Sequence, residues 1–340
     1  MVCALPDNKQ LMEDQTDRFD AELLARMTED TGVVSTYRTL EKQTASDLCY
    51  EAAEKLIAGL GWEKDSIGAM VFVSHALDYE RPATSCVIQK RLGLNKECAC
   101  IDINLGCSGF VYGMSVIGSM MTTMQIERSI LVCGDLSSKA VDPATTSNLI
   151  FGDIGSATAF EKQEGAPEIP FALYTDGERF KKIFTRGGGY RHPEDTENVF
   201  ADMVGMDVMA FSITDVPRSI LGLMKERGLT MDDLDLIALH QANQLILRNI
   251  RRKIKAPEEK VPVVMKEYGN SSSSSVPLVI CDHWKKNSPA GLHVLASGFG
   301  IGLSWGVTEL KLAADAYVDM IATNRYFDDD NEVTVDPSEA

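Results

Sequence analysis

The strongest constraint on the fold is the alternation of short apolar runs with longer segments in which apolar residues recur at helical spacing. Residues 67–74 form a mostly apolar run of strand length, whereas residues 46–60 place apolar side chains along one helix face. Residues 99–105 alternate apolar and polar side chains, as a strand does. Because strands that alternate with helices build layered sheets, we predict an α/β fold with a mostly parallel sheet.

The same alternation of strands and helices is predicted on both sides of a polar segment. Residues 161–167 are polar and contain glycine and proline, so we divide the chain into segments 1–162, 163–312 and 313–340. The first two segments have a similar alternation of predicted strands and helices, which fits a structural duplication. Further helices are predicted at 83–92, 110–124, 208–227, 242–254 and 276–286, and further strands at 129–134, 157–160, 236–239, 261–265 and 291–296.

The last segment differs from the rest of the chain. Residues 313–321 have a helical pattern, and the chain then runs into the acidic sequence at 327–332. Acidic segments with few apolar residues do not bury enough surface to fold. We therefore predict a helix followed by disorder.

The composition disfavours several classes of partner. The chain has 340 residues, 44% of them hydrophobic, and its formal net charge of −17 disfavours nucleic acid and anionic membranes. No apolar run approaches the ~20 residues that span a bilayer, and residues 1–18 are too polar for a secretory signal, so a cytoplasmic location is expected. The eight cysteines form no CxxC pair and no zinc spacing, so we expect most of them to be reduced and buried.

Three short segments carry reactive side chains: Gly106-Cys107-Ser108-Gly109, His240-Gln241-Ala242-Asn243 and Gly269-Asn270. Cys107 lies between a predicted strand and a predicted helix, where the helix dipole and free N–H groups lower a thiol pKa and favour the thiolate. His240 ends a predicted strand, the edge at which open α/β sheets place their ligands. Each segment alone also fits a role without catalysis. These roles are a buried structural cysteine, a structural histidine whose hydrogen bonds are satisfied, and a Gly-Asn turn.

Together these segments resemble those of the β-ketoacyl-acyl-carrier-protein synthase III family of the thiolase superfamily. The likeness includes Phe151-Gly152-Asp153, Ser275-Val276-Pro277 and the glycines of Phe299-Gly300 and Trp305-Gly306, and it covers residues 4–312. It implies a duplicated thiolase-like layered fold (α-β-α-β-α), with two mixed sheets around a buried nucleophile helix. It also implies decarboxylative Claisen condensation of a cysteine-bound acyl group with a malonyl thioester, in fatty acid, related secondary lipid or polyketide biosynthesis.

The resemblance implies a role for each residue of the site. Cys107 would attack an acyl thioester and hold the acyl group, while the backbone N–H groups of Cys107 and of the loop at Gly300 and Ile301 would form the oxyanion hole. His240 and Asn270 would donate hydrogen bonds to the malonyl thioester carbonyl and stabilise the enolate left by decarboxylation. The implied substrates are acyl-CoA and malonyl-acyl-carrier-protein or malonyl-CoA, with no cofactor and no metal.

Several positions depart from the family pattern and bear on the substrate. Residues 24–32 lack the tryptophan that stacks on the coenzyme A adenine in bacterial members, and two arginines of the family are replaced, one at 146–148 and one near Leu245. Arg81 stands where some members place a phenylalanine against the neighbouring subunit's acyl pocket. The residues predicted to bind substrate are Arg81, Phe299, Gln241 and Asn243.

The helix predicted after His240 carries a basic cluster in an otherwise acidic chain. We predict that this cluster docks an acidic acyl carrier protein, and that the enzyme is a homodimer. A solvated basic helix face is the alternative. The cluster consists of Arg248, Arg251, Arg252 and Lys255.

Two other functions would use the same residues. An acyltransferase would pass the Cys107-bound acyl group to an amine or an alcohol without condensation. A subunit without turnover would serve as the heterodimer partner of a condensing enzyme, although the retained cysteine, histidine and asparagine argue against it. The sequence does not determine the acyl chain, or whether coenzyme A or a carrier protein is the donor.

Overall fold

A computed structural model describes residues 1–339, and β-strands form its framework. In chain order the strands are β1 (Val2–Pro6), β2 (Lys9–Leu11), β3 (Ser35–Tyr37), β4 (Ile67–Val73), β5 (Ala99–Ile103), β6 (Arg128–Asp135), β7 (Ile154–Glu161), β8 (Phe171–Thr175), β9 (Ile183–Phe184), β10 (Asp202–Met203), β11 (Leu236–Leu239), β12 (Leu292–Gly300), β13 (Ser304–Leu312), β14 (Asp319–Thr323), β15 (Tyr326–Asp328) and β16 (Val333–Val335).

Two mixed sheets contain most of these strands. The larger has the order β14-β1-β7-β6-β4-β5, with β6, β4 and β5 parallel and β7 antiparallel to both of its neighbours. The smaller has the order β11-β12-β13-β8, with β11 parallel to β12 and β13 antiparallel to both of its neighbours. Two-stranded ribbons join β2 to β3, β9 to β10 and β15 to β16. The predicted α/β class with two mixed sheets is confirmed.

Helices occupy three layers around the two sheets. They are α1 (Ala21–Thr31), α2 (Ala45–Leu60), α3 (Thr84–Leu92), α4 (Gly109–Met124), α5 (Ser137–Ala140), α6 (Gly205–Arg227), α7 (Gln244–Ile254), α8 (Met265–Tyr268) and α9 (Ser275–Asn287). Helices α4 and α9 lie between the sheets, α2 and α3 cover the outer face of the larger sheet, and α6 covers the smaller sheet with α7 packed against it. The layers follow the predicted order α-β-α-β-α. Among the helices of residues 1–339, none combines the length and the apolar character needed to cross a membrane.

The helix that follows the candidate nucleophile is held in the core between the sheets. In α4, Phe110, Val111 and Ile117 are completely buried against side chains of both sheets. Each such side chain contributes about 1.5–3 kcal/mol through burial. The start of α4, and Cys107 just before it, therefore has little freedom to move.

The ends of parallel strands bring the candidate residues together. Because β4, β5 and β6 run parallel, their C-terminal ends lie side by side at one end of the larger sheet. This end carries His75 in the loop after β4, Cys107 in the turn after β5, and Asp135 at the end of β6. In the smaller sheet, His240 follows β11, and its parallel neighbour β12 ends at Gly300. These strand ends of the two sheets face each other across the starts of α4 and α9.

One predicted strand in the second half is wrong. Residues 261–264 form a loop, and Met265 begins α8. Pro262 has no N–H for a strand ladder. The amides of Val264 and Met265 donate instead to the side-chain oxygen of Gln241, at 2.9 and 3.2 Å. The apolar pattern of this segment comes from burial rather than from strand pairing.

The predicted helix at 313–321 and the predicted disorder after it are also wrong. Strand β14 pairs in parallel with β1 along its whole length and completes the larger sheet. The following hairpin, β15 and β16, is held by two partners: the guanidinium of Arg91 lies 4.6 Å from the ring centroid of Phe327, and a carboxylate oxygen of Asp47 accepts the Phe327 N–H at 2.8 Å. Arg91 and Asp47 form a buried ion pair at 2.9 Å, so the acidic tail packs against a cationic anchor.

Candidate active site

Cys107 lies in a tight turn between β5 and α4, in very close contact with neighbouring backbone. The Gly109 N–H donates to the Gly106 carbonyl at 2.7 Å and closes the turn. Gly300 approaches from β12 so closely that a Cβ there would lie 2.7 Å from the Cys107 Cβ and 3.1 Å from its sulfur. A side chain at position 300 would therefore displace the thiol.

The thiol of Cys107 is held in its protonated form. Burial raises its pKa from 9.0 to about 11, and the nearby Asp135 carboxylate acts in the same direction. The Ser272 hydroxyl, 3.7 Å from the sulfur, and two backbone N–H groups lower the pKa but do not offset burial. The prediction that the helix dipole makes this residue a thiolate is wrong, because desolvation of the charge outweighs the dipole.

Two backbone N–H groups converge on the sulfur, those of Cys107 and Ile301. When the sulfur attacks a carbonyl carbon, the carbonyl oxygen lies within reach of the same two N–H groups. An oxyanion hole requires donors in this position. Gly300 contributes the space beside the sulfur rather than a third donor. The oxyanion role of these three residues stays a prediction, with this geometry in its favour.

His240 is fixed at the end of β11 and is almost fully buried. Its N–H donates to the Ser297 carbonyl at 2.8 Å, and its ring packs edge-on against Phe299, with 5.3 Å between ring centroids. Burial lowers the pKa of the imidazole from 6.5 to about 3. The ring is therefore neutral throughout the physiological range, and its tautomer determines what it can do.

The tautomer of His240 depends on the hydroxyl of Ser275. His240 Nδ1 lies 2.7 Å from Ser275 Oγ, and Oγ lies 2.8 Å from the Ser272 carbonyl. When the hydroxyl donates to the carbonyl, Nδ1 carries the proton and Nε2 accepts. When the hydroxyl donates to Nδ1, Nε2 carries the proton and becomes a donor. The Ser272 carbonyl stays bonded in both cases, because it also accepts the Ser275 N–H.

Asn270 is oriented by its own loop. Its N–H donates to the Ile150 carbonyl at 2.8 Å, and its side-chain oxygen accepts the Ser272 N–H at 3.0 Å. The side-chain NH₂ is therefore the group left to face the cavity. A neutral amide donor in this position suits a carbonyl on which charge develops during reaction.

Cys107, His240 and Asn270 line a single cavity of about 430 Å³. The cavity extends from the thiol between α6 and the start of α7, and most of its wall is apolar. Its size and mostly apolar wall fit a mostly uncharged ligand. Among the apolar residues of the wall are Val141, Ile150, Phe151, Ile183, Val208, Met209, Ile246 and Phe299.

The residues predicted to bind substrate separate into two groups. Phe299 and Asn243 line the cavity, and the Asn243 side chain also caps α7 by accepting the Ile246 N–H at 2.8 Å. Gln241 does not line it: the side chain is completely buried and bonds the backbone of the loop before α8, so its assignment as a substrate contact is wrong. Arg81 is exposed, bonds the Tyr190 hydroxyl at 2.7 Å and does not line the cavity of its own chain.

The predicted basic cluster lies on and just after α7. Arg248 and Arg252 are exposed, and Lys255 is exposed where the helix ends. Arg251 is half-buried and forms an ion pair with Glu258 at 3.1 Å, so it is less available than the others. A role in docking stays a prediction for all four.

No role was predicted from the sequence for three residues that surround the site: His75, Ser272 and Ser275. His75 lines the cavity, Ser272 is beside the thiol, and Ser275 sets the tautomer of His240. The serine run 271–275 predicted the start of a helix, and Ser275 also belongs to the segment Ser275-Val276-Pro277 that resembles the family. His75 lies 32 residues before Cys107 and in no recognisable motif.

Comparison with known proteins agrees with this geometry. Residues 101–177 match the family model for 3-oxoacyl-[acyl-carrier-protein (ACP)] synthase III, and residues 224–312 match the model for its C-terminal part. A β-ketoacyl-[acyl-carrier-protein] synthase III of Streptococcus equi subsp. zooepidemicus is 30% identical over 289 residues, which are 83% of this chain and 89% of that protein. A putative 3-oxoacyl-[acyl-carrier-protein] synthase 3 of Campylobacter jejuni is 28% identical over 332 residues, 91% and 92% of the two chains.

The three-dimensional likeness covers nearly the whole chain. The crystal structure of a 3-oxoacyl-(acyl-carrier-protein) synthase from Burkholderia xenovorans LB400 has a TM-score of 0.90 and 33% identity, and the match covers 95% of each chain. Sequence identity over most of both chains and a shared thiolase-type fold lead to one assignment. This chain is an enzyme that belongs to the β-ketoacyl-[acyl-carrier-protein] synthase III family.

Proposed function

We propose that this enzyme condenses a cysteine-bound acyl group with a malonyl thioester and releases carbon dioxide. The observation that carries the proposal is that Cys107, His240 and Asn270 line one apolar cavity, with two backbone N–H groups at the sulfur of Cys107. A nucleophile, an oxyanion site and two neutral donors are the groups that acyl transfer and enolate formation require.

In the first half-reaction Cys107 takes the acyl group. Its sulfur forms a bond to the thioester carbonyl carbon, the carbonyl oxygen becomes an oxyanion at the N–H groups of Cys107 and Ile301, and the bond to the leaving sulfur breaks. The thiol proton must reach the leaving thiolate. Because Cys107 rests as a thiol, the attack and the loss of this proton are coupled.

In the second half-reaction the malonyl thioester loses its carboxylate as carbon dioxide. The electrons of the broken bond form an enolate, whose oxygen accepts hydrogen bonds from His240 Nε2–H and the Asn270 amide. The enolate carbon bonds to the acyl carbonyl carbon and the bond to the Cys107 sulfur breaks. The thiolate released takes a proton from solvent and returns to the resting thiol. Burial keeps His240 neutral, so it donates without attracting the malonyl carboxylate into an ion pair that would oppose decarboxylation.

The proposed substrates carry the phosphopantetheine arm of coenzyme A or of an acyl carrier protein. The cavity of about 430 Å³ that contains Cys107 is of a size to admit such an arm. The exposed arginines of α7, Arg248 and Arg252, provide a positive surface for an acidic carrier protein near Asn243 and Ile246 on the cavity wall. Binding of either form of substrate stays part of the proposal.

A homodimer is part of the same proposal. In the part of the chain that the structure covers, β5 ends the larger sheet, and its outer edge has no partner strand. Ile101 on this strand is 38% exposed. An uncovered edge strand with an apolar side chain favours pairing with a second copy. Light scattering coupled to size exclusion should give twice the chain mass, and Ile101→Lys should lower it.

Mass spectrometry of the intact protein tests the proposed reaction. Acyl-CoAs and acyl-carrier-proteins of several chain lengths should add one acyl mass to the enzyme but not to Cys107→Ala. With malonyl thioester added, the enzyme should release a ketoacyl product. His240→Ala and Asn270→Ala should accumulate the acyl-enzyme without releasing product. Transfer to amines or alcohols without carbon dioxide release would support the acyltransferase alternative, and absence of acylation would support a non-catalytic partner.

A further inference from the structure

His75 brings a second imidazole to the cavity that contains Cys107. It lies in the loop directly after β4, whose parallel neighbour β5 leads into the turn of Cys107. The His75 N–H donates to a carboxylate oxygen of Asp135 at 2.8 Å, so the start of this loop is held at the sheet edge. The side chain itself belongs to the cavity wall.

The tautomer of His75 follows from its partner. Its Nδ1 lies 2.6 Å from the side-chain oxygen of Asn104. A carboxamide oxygen only accepts hydrogen bonds, so Nδ1 is the protonated nitrogen. Nε2 of the neutral ring then carries a lone pair and can accept a proton.

Nε2 lies beside Gly106, the residue before Cys107. A carbon at the Cβ position of Gly106 would lie 2.9 Å from His75 Nε2 and 2.9 Å from Ser272 Oγ. Ser272 Oγ in turn is 3.7 Å from the sulfur of Cys107. The hydroxyl and this second imidazole are therefore both neighbours of Gly106, and the hydroxyl also contacts the thiol.

The chemistry of the site needs such a group. Cys107 rests as a thiol, so its proton must leave during acylation and arrive on the leaving sulfur. In the condensation half-reaction His240 donates from Nε2, whereas acylation would require Nε2 as an acceptor. A second imidazole allows both half-reactions without a change of tautomer at His240.

We propose that His75 is the proton carrier of the acylation half-reaction. As the Cys107 sulfur bonds to the acyl carbon, its proton passes to Ser272 Oγ while the Ser272 hydroxyl proton passes to His75 Nε2. As the bond to the leaving sulfur breaks, the His75 imidazolium returns a proton to that thiolate. Every bond and proton is accounted for, and Ser272 and His75 end as they began.

The proposal rests on the proposed function in one respect, that Cys107 is acylated by a thioester. It makes no use of the condensation step. The charged and titratable groups that share the cavity wall with His75 are Cys107 at the start of α4, Asp135 at the end of β6, Lys139 on α5 and His240 after β11. Lys139 is turned away from the reaction, because its ammonium donates to the carbonyls of Leu40, Glu41 and Gln43.

The test is the rate of a single acylation of Cys107, followed by intact mass between pH 5.5 and 9. In the unaltered enzyme protonation of Nε2 removes the base, so the rate falls on the acid side. His75→Gln keeps a polar side chain but no base: the rate should fall roughly 10²-fold at neutral pH, and the acid limb should disappear. The KM for the acyl donor should change much less than the rate constant.

Two further variants separate proton transfer from structure. Asn104→Asp places a carboxylate at Nδ1, which favours the imidazolium, so the acid limb should move to higher pH. His283→Gln on α9, far from the cavity, should behave as the unaltered enzyme. Thermal melting of each variant checks its folding.

Two results would overturn the inference. One is a His75→Gln enzyme that acylates at the unaltered rate. The other is a rate reduced by the same factor at every pH, which indicates a structural role. Failure of the proposed function gives a different pattern: the unaltered enzyme would acylate Cys107 but release no ketoacyl product from malonyl thioester, and the comparison of acylation profiles would still stand.

Discussion

The protonated state of Cys107 leads to a sharp test with an alkylating agent. A pKa of about 11 instead of 9.0 makes ionisation about 2.7 kcal/mol less favourable, at 1.36 kcal/mol for each pKa unit. At pH 7 about one Cys107 side chain in 10⁴ is then a thiolate, against about one in 10² for a thiol at the ordinary value. Only the thiolate reacts with iodoacetamide.

The slope of the alkylation rate against pH distinguishes between these pKa values better than the rate at a single pH does. Between pH 8 and pH 10 the thiolate fraction rises about 90-fold for a pKa of 11 but only about 10-fold for a pKa of 9. A thiolate stabilised by the dipole of α4, with a pKa below 7, would react at a constant rate over this range. We expect the steep dependence.

The assay follows alkylation of the peptide that contains Cys107 by mass spectrometry. Cys86 is exposed and reacts as well, so the measurement is made in Cys86→Ser, with Cys107→Ala as the control for assignment of the site. Circular dichroism at pH 10 checks that the fold persists. A rate that rises less than 10-fold from pH 8 to pH 10 would refute the conclusion that burial outweighs the helix dipole.

Four further predictions concern the same site and its surroundings. His240 has a folded pKa of about 3, below its unfolded value of 6.5, so its contribution to stability is present above pH 6.5 and is lost as the pH falls. Between pH 6.5 and 4.5 the loss is about 2.3 kcal/mol, and His240→Gln should remove that part of the pH dependence in denaturant titrations. Gly300→Ala places a methyl 2.7 Å from the Cys107 Cβ and should slow acylation roughly 10²-fold in single-turnover assays while the protein still melts cooperatively. Ser275→Ala leaves the Ser272 carbonyl as the partner of His240 Nδ1, which holds the proton there, so malonyl decarboxylation by the acyl-enzyme should fall roughly 10²-fold with acylation preserved. Arg248→Glu with Arg252→Glu should raise the KM for carrier-bound substrate about 10-fold and leave that for the CoA thioester unchanged, whereas Lys96→Glu with Lys162→Glu, of equal charge change, should alter neither.

Local patterns predicted most of the secondary structure. The strand at Leu236–Leu239 was predicted with its exact bounds, and the helix at 46–60 differs by one residue from α2. Apolar periodicity succeeds there because each element buries one face against a sheet or helix. It failed at 261–265, where a buried glutamine side chain takes the place of a neighbouring strand, and in the tail, where β1 supplies a strand partner from the opposite end of the chain.

The candidate site was predictable only where its residues occur in continuous segments. Cys107, His240 and Asn270 are each embedded in such a segment, and the fold brings the three together. His75 is a single residue whose importance comes from its neighbours in space. Ser275 lies in a segment that resembles the family, but that segment did not predict its contact with His240. Gln241 shows the opposite case: it adjoins His240 in the chain, but consecutive residues of an extended backbone point in opposite directions, and it turns into the core.

The sequence by itself determined the layered α/β architecture, because that follows from apolar periodicity. It also selected Cys107, His240 and Asn270 as candidate site residues, because their short segments resemble those of a known family. Only the tertiary structure decided how these groups are protonated. The helix dipole at Cys107 is a local property and favours a thiolate, yet the sheets, Gly300 and Phe299 enclose the site and remove water from it. Desolvation depends on everything that surrounds a charge, so the same fold that assembles the site keeps Cys107 a thiol and His240 a neutral ring.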